Sequence, residues 1–159
     1  MKRDTKASCT RLWIILMLTC LSTLSTTALA SAAMPNIGES YGGGVVFYVD
    51  GTGQHGLIAA KTDMPGHSFK KEEFFFNWYG AKDAANAFVE GFSDWMLPNR
   101  EQLHKLYISR GAVAGMATTV YWSASESDAE SAWAENFASG EQLVGNKTNG
   151  SRVRAVRLF

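Results

Sequence analysis

The chain has 159 residues, 46% of them hydrophobic, with 15 basic and 15 acidic side chains. That length suits one domain, and the even charge excludes the strong basic excess of a non-specific nucleic-acid binder. Only two cysteines are present, Cys9 and Cys20, which excludes a disulfide-dense scaffold.

Lys2, Arg3, Lys6 and Arg11 give the chain a basic start, and an apolar stretch runs from Leu12 to Leu29. It ends at Ala28-Leu29-Ala30, a small-x-small cleavage pattern. This is the plan of a secretory signal peptide. Residues 1–30 are therefore expected to be removed and the protein to be exported, to the periplasm, the exterior or the cell surface. A permanent span needs about 20 strongly apolar residues, and here the stretch decays into Ser22, Thr23, Ser25, Thr26 and Thr27. Both cysteines fall in the removed part, so the remainder is expected to hold no disulfide, cysteine nucleophile or thiolate metal site. Its net charge is −3, because four basic residues and Asp4 leave with the signal.

Residues 31–40 read as a short polar tail. Val45 to Val49 are β-branched and aromatic and predict a strand. Asp50-Gly51 marks a turn, and Gly56 to Ala60 returns as the second strand of a hairpin. The segment from Thr62 to Tyr79 reads as a loop, then a buried run. Ala81, Ala84, Ala85, Phe88 and Val89 keep a 3.6-residue period, predicting a helix over Gly80 to Glu90. Asp94 to Pro98 is an extended linker. Asn99, with Gln102 three residues on, makes a capping box for a second helix, whose apolar stripe is Leu103, Leu106 and Tyr107 and whose end is Gly111. Val120–Ala124 and Ala132–Ala138 are strands. Leu143-Val144 and Ser151–Leu158 flank Asn149-Gly150, a two-residue hairpin signal. The expected class is α+β, with the domain spanning 41–159.

Five motifs in order give the chain a family resemblance. They are Gly43 to Asp50 with Gln54 to Ala60; Asp94-Trp95-Met96-Leu97-Pro98-Asn99-Arg100-Glu101-Gln102-Leu103; Tyr121-Trp122-Ser123-Ala124-Ser125-Glu126; Trp133 to Phe137 with Gly140; and Val153 to Arg157. Together they resemble the Lcl C-terminal domain family, named for a collagen-like bacterial adhesin. The resemblance implies a C-type-lectin-like fold, two helices flanking small antiparallel sheets with paired terminal strands, and a ligand surface built by the C-terminal strands and their loops. In the adhesin itself the domain is associated with sulfated glycans and trimers. This chain has no collagen-like stalk, and Met96 stands where the family usually has Arg.

The expected ligand surface is Tyr121, Trp122, Ser123, Asn136, Lys147, Asn149 and Arg152. Trp faces suit sugar rings, although Trp on a strand also suits a core. Lys147, Arg152, Arg154 and Arg157 read either as an anion-binding cluster or as a solvated edge. Trp133, Glu135 and Phe137 share one strand face. If that face is core, Glu135 needs a partner, expected among Arg152, Arg154 and Arg157. Asp94 is expected to cap or pair locally. His55, His67 and His104 lack metal-ligand spacing, and no cofactor is expected, with calcium left open in the absence of a motif.

Three readings remain. The first is an exported, non-catalytic ligand-binding or adhesion module, its partner an extracellular glycan or protein. The second is a structural or assembly domain of the cell envelope. The third is an enzyme related to the formylglycine-generating fold, for which the mature chain lacks cysteines. Nucleic acid is not an expected partner, and the oligomeric state is open.

Overall fold

A computed structural model of the protein describes residues 34–65, 75–88 and 91–159. The expected signal segment, His67 and the Lys70–Glu73 run lie outside the described residues, which all belong to one unit, Met34–Phe159. Among them, seven strands and two helices alternate as β1 (Ser40–Tyr41), β2 (Gly44–Val49), β3 (Gly56–Ala59), α1 (Trp78–Ala87), α2 (Arg100–Ile108), β4 (Val120–Glu126), β5 (Ser131–Asn136), β6 (Gln142–Asn146) and β7 (Val156–Leu158). They form two antiparallel sheets, one ordered β1-β2-β3-β7 and the other β4-β5-β6. The class is α+β, as expected.

The β2–β3 hairpin forms where the turn residues place it. Its register slips between Val46 and Tyr48, so Phe47 is the extra residue of a bulge. The bulge lets Val46 and Phe47 both bury fully although they are neighbours. Val46 joins a cluster with Ile58, Trp78, Trp95 and Trp122. Phe47 joins another with Leu57, Leu103, Leu106, Tyr121 and Phe137. Helix α1 feeds the first cluster through Trp78, Ala81 and Ala85, and α2 feeds the second through Leu103 and Leu106.

Helix α1 starts earlier than its alanine period predicts, because Asn77 caps it by accepting from the Gly80 amide. Helix α2 starts as predicted. Asn99 and Gln102 exchange both bonds of the capping box, satisfying two backbone donors that a helix start leaves open. It ends at Ile108 rather than Gly111, with Ser109 as its C-cap.

The predicted hairpin across Asn149-Gly150 does not form. Strand β6 pairs with β5 instead, and β7 pairs with β3. Between them, residues 151–156 thread through the molecule, bridging Ser151 to Phe76, Arg152 to Tyr121 and Val156 to Met96. The N-terminal and C-terminal strands therefore share one sheet, with β3 rather than β1 as the direct neighbour of β7. This thread joins the two sheets: the Trp122 amide donates to the Arg152 carbonyl at 3.0 Å, and the Arg152 amide to the Val120 carbonyl at 3.0 Å.

Candidate functional site

The residues expected to face a ligand are mostly turned inward. Tyr121, Trp122, Ser123 and Lys147 are buried. Trp122 donates its indole N–H to the Phe76 carbonyl at 2.9 Å, so its polar edge is used inside. The Ser123 hydroxyl donates to the Trp133 carbonyl. Lys147 donates to a Glu126 carboxylate oxygen and to the carbonyls of Asp128 and Ala129, which spends all three donors of its ammonium. Its hydrogen bond holds the Glu126 carboxyl below the ordinary range. Asn136 is half-buried and Asn149 exposed; the Asn136 side chain accepts from the Ala138 amide. Four of the seven are thus enclosed by the fold.

The arginines of the terminal thread are ion-paired. Arg154, with a side chain 0% exposed, donates to Asp63 at 2.7 Å and to the carbonyls of Ala60 and Gly115. Arg152 donates to the other oxygen of Asp63 at 2.9 Å, and the Tyr121 hydroxyl donates to that oxygen too. Burial, first among several causes, pushes the Tyr121 phenol up to about 12. Arg157 grips both oxygens of Asp94, at 2.9 and 3.0 Å, and those hydrogen bonds hold the Asp94 carboxyl below its usual range. Asp94 thus pairs across the fold, not locally. With Lys147 on Glu126, all four cations are thus paired with carboxylates of the fold rather than standing as a solvated edge.

Glu135 is buried, as its strand face requires, but its partner is not an arginine. His104 Nδ1 lies 2.8 Å from Glu135 Oε1, while Oε2 has no hydrogen-bond partner among the described residues. One helical repeat away, the Arg100 guanidinium lies 3.5 Å from the centre of the Trp133 ring. Two residues of α2 spaced i, i+4 therefore meet two residues of β5 spaced i, i+2. The match is geometric: four helical residues rise about 6 Å and two strand residues about 6.7 Å.

Above this contact opens a cleft of about 430 Å³ lined by Asn99, Arg100, Glu101, His104, Ser125 and Gln142. Arg100 is fixed from three sides. It stacks on Trp133, its Nε donates to the Gln142 side-chain oxygen at 2.8 Å, and its amide donates to the Ser125 hydroxyl at 3.0 Å. Glu101 is held by Lys105 at 2.9 Å, which keeps its carboxyl below the ordinary range. Among the described residues the guanidinium's terminal nitrogens and the outer ring nitrogen of His104 have no hydrogen-bond partner. Sequence reasoning missed this cleft. The available signal was Arg100 and His104 on one face of a predicted helix, and it has no meaning until β5 is placed opposite.

A larger cleft of about 660 Å³ lies beside α1, its wall made largely of apolar residues such as Met64, Phe75, Phe76 and Phe88. Among the described residues no group of three His, Cys, Asp or Glu side chains is placed to hold a metal ion, and no helix is long and apolar enough to cross a membrane.

Fold and cleft define a small α+β module with a polar, cation-bearing hollow between a capped helix and a three-stranded sheet. The chain belongs to the Lcl C-terminal domain family, whose model matches residues 54–157. No curated protein matches it.

Proposed function

We propose that this protein is an exported, non-catalytic ligand-binding module of the adhesion type. In this reading residues 1–30 are an export signal, 31–40 a short tail, and 41–159 a C-type-lectin-like domain whose ligand is an extracellular glycan or protein. Membership of a family named for an adhesin supports the adhesion class. The observation that carries the site is the cleft between α2 and β6. Arg100, His104, Ser125 and Gln142 converge there, and Arg100 and His104 are each held by a residue of β5. Binding sites need such polar groups fixed in advance, since ordering them on binding costs affinity.

Tyr121, Trp122, Ser123 and Lys147, being buried, then serve the fold from its interior rather than touching the ligand. Asn136, Asn149 and Arg152 are kept in this reading as candidate contacts outside the lining of the cleft.

The test is a glycan-array screen of the folded protein, run with calcium and then with chelator, beside Arg100→Ala and Gln142→Ala. Saturable binding weakened roughly tenfold or more by either substitution supports the cleft. No binding in either condition would favour the assembly-domain reading. Binding unaffected by both substitutions would move the site elsewhere.

A further inference from the structure

We propose that Asn149 is a site of spontaneous covalent modification, its side-chain amide converted to a carboxylate through a cyclic imide formed with the backbone nitrogen of Gly150.

The reaction has three structural requirements. The following backbone N–H must be free to attack, the asparagine amide must be free to turn toward it, and the following residue must not crowd the approach. Asn149-Gly150 meets all three. Both residues are exposed. Among the described residues the Gly150 amide has no hydrogen-bond partner, although its neighbours are tied: the Asn149 amide donates to the Asn146 carbonyl at 2.9 Å and the Ser151 amide to the Phe76 carbonyl at 3.0 Å. The Asn149 side chain has no partner among the described residues either, and glycine brings no Cβ.

No other described asparagine meets them. The Asn136 side chain accepts from Ala138, and the amide after it donates to Thr119. The Asn146 side chain accepts from Thr148, and the amide after it donates to Glu130. Asn77 and Asn99 spend their side-chain oxygens as helix caps. Asn86 lies inside α1, and the Asn36 side chain is bonded to Glu39.

In the first step the Gly150 nitrogen gives its proton to solvent base, and its electron pair forms a bond to Asn149 Cγ. The Cγ–Nδ2 bond breaks, and Nδ2 takes a proton and leaves as ammonia. Water then opens the imide. Cleavage at Cγ gives aspartate; cleavage at the Asn149 backbone carbonyl carbon gives isoaspartate, which lengthens the main chain by one carbon. One water enters, one ammonia leaves and nothing is oxidised or reduced. The product carries a new negative charge in the turn between β6 and Ser151, whose bridge to Phe76 fastens the terminal thread.

The test is to incubate the full chain, folded, at neutral pH and 37 °C, and to map peptides over time. The expected first change is a gain of about one dalton at Asn149, with isoaspartate detected by its specific methyltransferase. Gly150→Ala should slow the gain roughly tenfold or more. Its Cβ would meet Phe75 at 3.4 Å, an ordinary contact, so the fold should tolerate it. Asn149→Gln, which would need a larger ring, should abolish the change at that position while leaving the fold intact by circular dichroism. A first gain at another described asparagine, or an unchanged rate in Gly150→Ala, would overturn the proposal.

Discussion

His104 Nδ1 and Glu135 Oε1 meet at 2.8 Å, joining a side chain 44% exposed to one only 1% exposed. The pair connects the floor of the cleft to its wall. A buried carboxylate without a partner is costly, so the fold needs an imidazole where the cleft needs a polar wall. The two requirements are met by one residue, held in place by the same helix face that lays Arg100 over Trp133.

The first prediction separates the charge from the contact. His104→Ala leaves a buried carboxylate with neither oxygen paired and should cost about 1–3 kcal/mol. Glu135→Gln keeps the shape and a hydrogen-bonding oxygen while removing the charge, so it should cost less. Urea unfolding of the two variants checks the order. Equal losses, or a loss below about 0.5 kcal/mol for His104→Ala, would show that the pair does not hold this wall.

The second prediction concerns alkaline pH. Tyr121 has its phenol raised from 10.0 to about 12, chiefly by burial. A group whose folded pKa is raised stabilises the fold while it stays protonated. That contribution is whole below about 10 and is lost as pH rises toward 12. Tyr121→Phe should be less stable at neutral pH by about 1–3 kcal/mol, since it leaves Asp63 and the Ala117 amide short of a partner. It should also lose less stability than wild type between pH 10 and 12. Thermal unfolding of both across that range is the measurement. Parallel curves would place the alkaline loss elsewhere.

What the sequence disclosed and what it hid follow one physical division. The β2–β3 hairpin and the capping box at Asn99 were legible, because turn residues and a cap act over three or four positions. The hairpin across Asn149-Gly150 was misread. A turn signal reports only local preference, and the strands on either side found better partners in β5 and β3. That Glu135 needs a partner if its strand face is core was legible from the two-residue alternation around it, yet which partner was not. The arginines on the terminal thread were taken by Asp63 and Asp94, acids far away in sequence. The cleft was hidden for the same reason, since Arg100 and Gln142 become neighbours only when α2 lies across the second sheet.

A third prediction tests close packing behind the cleft. A Cβ on Gly145 would come 2.9 Å from the Trp122 ring, whose indole N–H is held by the Phe76 carbonyl. The ring cannot swing aside without breaking that bond. Gly145→Ala should therefore cost about 1–3 kcal/mol and change the near-ultraviolet circular dichroism of the buried tryptophans. A variant as stable as wild type, with an unchanged aromatic spectrum, would mean that the sheet shifts freely at this point.

The last prediction concerns Lys147, whose side chain is 4% exposed and whose ammonium holds the loop after β4 through Glu126 and two carbonyls. Lys147→Met keeps the aliphatic stem but leaves those acceptors to solvent. The expected loss is about 1–3 kcal/mol, moderated because Glu126 is 55% exposed and can turn to water. The pH dependence follows from the lowered Glu126 carboxyl. A group whose folded pKa is depressed stabilises above its ordinary value of 4.5, and that contribution disappears as pH falls through the folded value. The wild type should thus lose part of its margin over Lys147→Met on acidification below 4.5, which unfolding titrations at pH 7 and pH 3 would measure. Amide exchange in residues 127–130 should quicken in the variant at neutral pH, whereas a core defect alone would quicken β5 and β6 as well. If exchange in the loop does not change, the ammonium is not what holds it.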